Sequence, residues 1–164
     1  MKTSQCTDGK RIAMFQGSFD PFTRGHESIV RRALPLFDEI VVAVVSNIAK
    51  KPFMSIENRL EFIKQVFSGE PCVRVVASEG LTVDVAREVG ATCLLRGVRM
   101  IQDFENEMHM AEINRRLSGI ETVLLYTLPE FSHISSTIVR ELYNYSQDVS
   151  DYLPANAPVN LLGK

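Results

Sequence analysis

Five short apolar runs punctuate the chain at regular intervals: "RIAMFQ" (11–16), "EIVVAVVS" (39–46), "VRVVA" (73–77), "CLLR" (93–96) and "TVLLYT" (122–127). Between and after them lie stretches with helical spacing at 25–37, 56–67, 82–89, 102–118 and 136–146. The runs are rich in β-branched residues and apolar nearly throughout, as strands are when helices cover both faces of their sheet. Strands alternating with helices are joined by right-handed crossovers. The expected fold is therefore α/β: a Rossmann-like, doubly wound, five-stranded parallel sheet with helices on both faces. Gly90 and Gly119 follow two of the helical stretches, where a left-handed cap residue is expected. Pro35 should kink or shorten the first helix. Phe104, Met108 and Ala111 form one apolar stripe, which is expected to face the core.

At 164 residues the chain suits a single domain, 1–164, with residues 1–10 as an extension and 150–164 as a tail. The tail is expected to form a short helix ending near Pro154, with its last residues loose. A net charge of −2 gives no general attraction to nucleic acid or an anionic membrane, so neither is expected as a partner. An anionic ligand would have to be held by local groups. Cys6, Cys72 and Cys93 are odd in number and form no close pair. That argues against a disulfide framework or a zinc site and fits a reducing cytoplasm. The amino terminus lacks the apolar core of a signal peptide, and no later run is long enough to span a bilayer.

In doubly wound folds ligands bind at the carboxyl ends of the strands, near the point where strand order reverses. The segments to inspect are 17–26, 46–54, 78–82, 96–103 and 128–137. The first reads "GSFDPFTRGH" (17–26). Gly17 allows close approach of the backbone to a ligand, and Ser18 offers a hydroxyl and an amide. Asp20 is expected to bond nearby amides in a turn. Gly25 brings His26 into the first helical turn, where free N–H groups and the helix dipole favour an anion. A lone histidine here would be unremarkable, but Gly-Ser-x-Asp-Pro followed by Thr-x-Gly-His after a first strand favours a phosphate site.

The other loops add charge and hydroxyls. Lys50 and Lys51 lie after the second strand, ahead of a helix opened by Ser55. After the fourth strand, Gly97 is expected to permit a turn that directs Arg96 and Arg99 into one crevice, where a guanidinium fork suits phosphate oxygens. The plainer alternative is that these arginines pair with Asp103 and Glu107. Ser135, Ser136 and Thr137 open the last helix, either as a cap or as a cradle for phosphates.

"GSFDPFTRGH" resembles the first-loop signature of the nucleotidyltransferase superfamily, whose motif here reads Thr23-Arg24-Gly25-His26. Neither G-x-G-x-x-G nor the P-loop pattern is present, which disfavours a dehydrogenase or a P-loop ATPase. With "KKP", "LLRGVR", "DFENEM", "INRRL" and "ISSTIVREL", the chain is similar to the bacterial phosphopantetheine adenylyltransferases over roughly residues 11–155. The resemblance implies an enzyme that joins ATP and 4′-phosphopantetheine to give dephospho-coenzyme A and pyrophosphate, with Mg²⁺ accompanying ATP and a homohexameric assembly. By the same carry-over His26 stabilises the transition state, and Ser18 and Lys50 hold and align the acceptor phosphate. Thr82 and Arg96 contact the same acceptor. Ser18, Phe19, His26, Gly97, Val98, Arg99, Glu107 and the segment Phe131, Ser132, His133, Ile134, Ser135, Ser136, Thr137 form the ATP site. Ser18 stands where many members have threonine, Asn106 where tyrosine is frequent, and Thr82 where some have a larger apolar residue. Two rival readings are a nucleotidyltransferase of the same fold with another phosphorylated acceptor, and a noncatalytic adenine-nucleotide module.

Overall fold

A computed structural model describes residues 9–46 and 52–163. Its strands are β1 (Ile12–Gly17), β2 (Glu39–Val45), β3 (Val73–Ser78), β4 (Cys93–Val98) and β5 (Glu121–Tyr126). All pair in parallel, in the order β3-β2-β1-β4-β5. The α-helices are α1 (Arg24–Ala33), α2 (Ile56–Val66), α3 (Thr82–Glu88), α4 (Ile101–Ser118) and α5 (Ser136–Asn144). The chain thus winds outward from β1 to β3, returns to β4 on the other side of β1, and ends at β5. The order reverses between β1 and β4, as a doubly wound sheet requires.

Alternate residues of each strand point to opposite faces, and the core divides accordingly. Ala13 and Phe15 of β1 join Ile29 and Val30 of α1, Phe62 and Ile63 of α2 and Val139 of α5 on one face. Met14, Ala43 and Leu94 pack on the other with Val85 and Ala86 of α3. Covered on both sides, the central strands have no polar face to show, which accounts for their unbroken apolar runs.

Pro35 ends α1 as expected: the helix stops at Ala33 and a 3-10 turn follows over Leu34–Leu36. Gly90 and Gly119 adopt φ of 74° and 76°. Three expectations are corrected. The stripe on α4 is not core, because Phe104 and Met108 are 40% and 47% exposed. The tail does form a short helix, of 3-10 type, at Ser150–Tyr152 just before Pro154, but its last residues are not loose: a second 3-10 turn follows at Val159–Leu161, and Leu162 is buried in the larger core. Gly97 is not in a turn but inside β4, opposite Leu125. A Cβ there would come within 3.1 Å of the Ile29 side chain, so this glycine lets α1 lie close to the sheet.

The strands part at the reversal point. Pairing of β1 with β4 ends at Phe15–Leu95, whereas β1 continues with β2 to Gly17–Val44 and β4 with β5 to Val98–Tyr126. Gln16 and Gly17 therefore diverge from Arg96 and Gly97, and a crevice opens between them.

Candidate active site

His26 is the third residue of α1, after the extended N-cap Thr23. The Thr23 backbone N–H donates to His26 Nδ1 at 3.0 Å, and Thr23 Oγ1 lies 3.0 Å from the same nitrogen. The imidazole thus fills the place usually taken by glutamate or glutamine in a capping box. Its bond also fixes the tautomer: a bare Nδ1 leaves the proton of the neutral ring on Nε2. The rings of Phe15, Phe19 and Phe22 surround it, with centroids 6.2, 5.1 and 5.3 Å away. Loss of solvation, and then repulsion from Arg99 and Arg96, push its pKa down from 6.5 to about 4. At neutral pH it is an uncharged ring with an Nε2–H donor.

Two cavities meet at the crevice. The first, about 400 Å³, lies between the first loop, Arg96 to Arg99 and the start of α5, and is lined by His26, Phe131 and Ser135 to Thr137 among others. The second, about 300 Å³, lies on the other side of β1 and is lined by Thr82, Leu94, Met110 and Asn114 among others. Gln16, Gly17, Ser18, Arg96 and Glu107 line both. One polar wall therefore faces two chambers.

Both halves of the question about the arginines are answered. Arg96 forms a two-pronged bond with Glu107, at 2.8 and 2.7 Å, and also donates to the Gln16 carbonyl across the parted strands. Arg99 pairs with Asp103 at 3.2 Å and donates to the Ile134 carbonyl at 3.4 Å. The pairing is thus real, yet all four residues line the first cavity. The carboxylates orient the guanidinium groups there. The hydroxyls opening α5 divide their tasks. Ser135 caps the helix by accepting from the Ile138 N–H, Ser136 donates to the Pro21 carbonyl, and Thr137 accepts from Arg140.

Asp20 does not serve a local turn. Its carboxylate accepts from the Phe53 and Met54 N–H groups, each at 2.8 Å, and so ties the segment after β2 to the first loop. Phe19 adopts φ of 46°, costly for an aromatic residue, and is held there by its buried ring. Gly17 lines both cavities and has a further use: a Cβ would stand 2.9 Å from the Phe19 ring, so its lack of a side chain makes room for that ring.

Of the nucleotide residues implied by the resemblance, Ser18, Phe19, His26, Gly97, Arg99, Glu107, Phe131, Ile134, Ser135, Ser136 and Thr137 line the first cavity. Val98 instead faces a hollow beside Met100 and Tyr126, Ser132 bonds the Pro129 carbonyl, and His133 stacks edge-on to Tyr152. Ser18, Thr82 and Arg96 line the second cavity. Lys50 lies outside the described residues. Sequence reasoning missed Gln16 and Asn114, which are buried polar residues lining the second cavity. A glutamine ending an apolar strand was a usable signal; Asn114, inside a charged helix, gave none.

Residues 14–142 match the Cytidylyltransferase-like family. A Porphyromonas gingivalis protein named phosphopantetheine adenylyltransferase is 50% identical over 145 residues, covering 88% of this chain and 95% of that one. Proteins of the same name from Bacteroides thetaiotaomicron and Flavobacterium psychrophilum are 45% and 49% identical, covering 92% and 88% of this chain and 99% and 95% of theirs. The chain belongs to the phosphopantetheine adenylyltransferase family. It is accordingly a nucleotidyltransferase, with the Rossmann-like fold of that superfamily. A solved bifunctional NMN adenylyltransferase/ADP ribose pyrophosphatase from Francisella tularensis, complexed with AMP and a manganese ion, superposes with a TM-score of 0.69 at 15% identity. That likeness covers 94% of this chain and 47% of the other, so this chain spans about half of its length. It bears on fold alone. Among the described residues, no helix is long and apolar enough to cross a membrane.

Proposed function

We propose that this adenylyltransferase moves the adenylyl group of ATP reversibly to 4′-phosphopantetheine, giving dephospho-coenzyme A and pyrophosphate. The observation that carries the reading is the pair of cavities meeting at Ser18 and Arg96, with the Nε2–H of a neutral imidazole on one side. ATP occupies the chamber containing His26, and the phosphopantetheine arm the chamber lined by Thr82, Leu94 and Met110. Their phosphates meet at the shared wall. The acceptor phosphate attacks the α-phosphorus in line, a bond to its oxygen forms as the bond to pyrophosphate breaks, and no protein group becomes covalently attached. Catalysis then rests on placing two polyanions and stabilising charge on the transferring group. His26 donates through Nε2 to an α-phosphate oxygen. A ring already neutral at physiological pH needs no proton exchange to do so. A noncatalytic nucleotide module has no use for such a donor, and the relatives' names favour the pantetheine acceptor over others.

Mg²⁺ belongs to this reading as part of the nucleotide substrate. Among the described residues no three His, Cys, Asp or Glu side chains are grouped to hold an ion, and Asp103 and Glu107 are engaged by arginines. The homohexamer is supported by α4, which has two apolar flanks. Ile101, Phe104 and Met108 lie along one, and Met110, Ile113 and Leu117 along the other, all at least 40% exposed. Apolar surface of this extent is seldom left to water, and two flanks serve two neighbours, more than a dimer needs. A cytoplasmic location fits the free thiols of Cys72 and Cys93.

Purified protein with ATP and Mg²⁺ should release pyrophosphate only when 4′-phosphopantetheine is added. Release with another phosphorylated acceptor in its place would select the rival of the same fold. A monomer in sedimentation at micromolar concentration would contradict the hexamer.

A further inference from the structure

Four carbonyls at the end of β1 and in the first loop are each taken by a side chain from elsewhere. Arg96 of β4 donates to the Gln16 carbonyl, and Ser136 of α5 donates to that of Pro21. The two between them are held by residues to which the chemistry described above gives no part. Arg59 of α2 donates through Nη1 to the Ser18 carbonyl at 2.8 Å and to the Val45 carbonyl, at the end of β2, at 3.0 Å. Arg140 of α5 donates to the Asp20 carbonyl at 2.7 Å and to Thr137 Oγ1 at 3.1 Å.

Arg59 is only 4% exposed, and its Nε has no hydrogen-bond partner among the described residues. Neither arginine forms an ion pair among those residues. Among the described residues the buried Arg59 guanidinium is bonded only to carbonyl dipoles, an arrangement that leaves its charge available to an approaching anion. A merely structural link between loop and helix could have used a neutral donor. Neither arginine lines either cavity, so the Ser18 and Asp20 carbonyls are engaged by donors that stand outside both chambers. A carbonyl oxygen turned toward phosphate repels it; turned away, it leaves the amide edge of the loop for the anion.

We propose that Arg59 and Arg140 are positioning residues for the transfer reaction: they hold the first loop with its carbonyls turned from the phosphates and place positive charge behind it. The proposal rests on reading the cavities as sites for two phosphorylated substrates.

The test compares Arg59→Met, Arg59→Lys and Arg140→Met with the parent protein. Turnover, affinity for inorganic pyrophosphate by calorimetry, and thermal midpoint are measured on each. The expected result is that Arg140→Met and Arg59→Met each weaken pyrophosphate binding and lower kcat/KM for ATP by about 10-fold or more, the scale of losing a charge-assisted bond. Arg59→Lys, which keeps the charge, should recover part of both, a rescue that a packing role alone would not give. Should Arg59→Met fail to fold, Arg140→Met, at a partly exposed site, decides. Folded variants that bind pyrophosphate and turn over as the parent does would overturn the proposal, as would losses that only track the folded fraction. Pyrophosphate binding needs no acceptor. If the parent fails to turn over 4′-phosphopantetheine while the variants still bind pyrophosphate more weakly, the functional reading fails and the positioning role stands.

Discussion

Replacing His26 with alanine removes two separate contributions, one from each ring nitrogen. The donor on Nε2 is lost, and removing one such donor from a charge-stabilising site lowers kcat by about 10²–10³-fold. The acceptor on Nδ1 is also lost, so the Thr23 N–H loses its capping partner at a cost of about 1 kcal/mol. In a chain of this length that lowers Tm by only about 2–4 °C. Because the donor acts chiefly as charge develops, ATP affinity should change far less than the rate. Steady-state pyrophosphate release at neutral pH, nucleotide titration calorimetry and a thermal melt on one preparation separate these effects. Turnover within about 3-fold of the parent, with the fold intact, would remove His26 from the chemistry. An equal loss in ATP affinity would assign it to ground-state binding instead.

The three imidazoles can be followed by NMR in the ligand-free protein. His26 should titrate near pH 4 with its proton on Nε2, and a midpoint near 6.5 would show that the desolvating ring cluster is misread. Its lowered pKa also sets a stability window. The unfolded chain takes up the proton below about pH 6.5 and the native ring only near 4, so stability present above 6.5 drains away between those values, by at most about 3 kcal/mol. Urea melts of the parent and His26→Gln across that range should converge as pH falls; parallel curves would contradict the shift. Gly17→Ala should destabilise by about 1–3 kcal/mol by driving a methyl into the Phe19 ring, and should slow turnover because that ring packs against His26. Asp20→Asn leaves one amide of Phe53 or Met54 without its acceptor and should cost about 1–3 kcal/mol, checked by urea unfolding.

Much of the site was legible because it follows each strand directly. A doubly wound sheet brings all its carboxyl ends to one edge, so Ser18 after β1, Arg96 near the end of β4 and Ser135 after β5 had to be neighbours once the strands were recognised. The errors share another cause. Gly97 was read as a turn, but it lies inside β4 and makes room for Ile29 from a distant segment. Gly17 lines both cavities and also makes room for the strained Phe19, a second use the sequence did not reveal. Asp20 was read as a local turn residue, yet its partners lie 33 and 34 residues away. The α4 stripe was assigned to the core because periodicity reports that a face is apolar, not what covers it.

The order of apolar runs and helical stretches determined the parallel sheet, since strands without a polar face must be covered on both sides. The first-loop motif pointed to that sheet's carboxyl edge, where the structure places the two cavities. Only the tertiary structure decided what His26 is: its tautomer is set by the Thr23 amide, and its neutrality by three phenylalanine rings and two arginines. Only the tertiary structure divided the crevice into two chambers with Arg96 and Glu107 in the wall between them. A side chain's protonation and direction depend on the field and packing around it, and those come from residues far away in the chain.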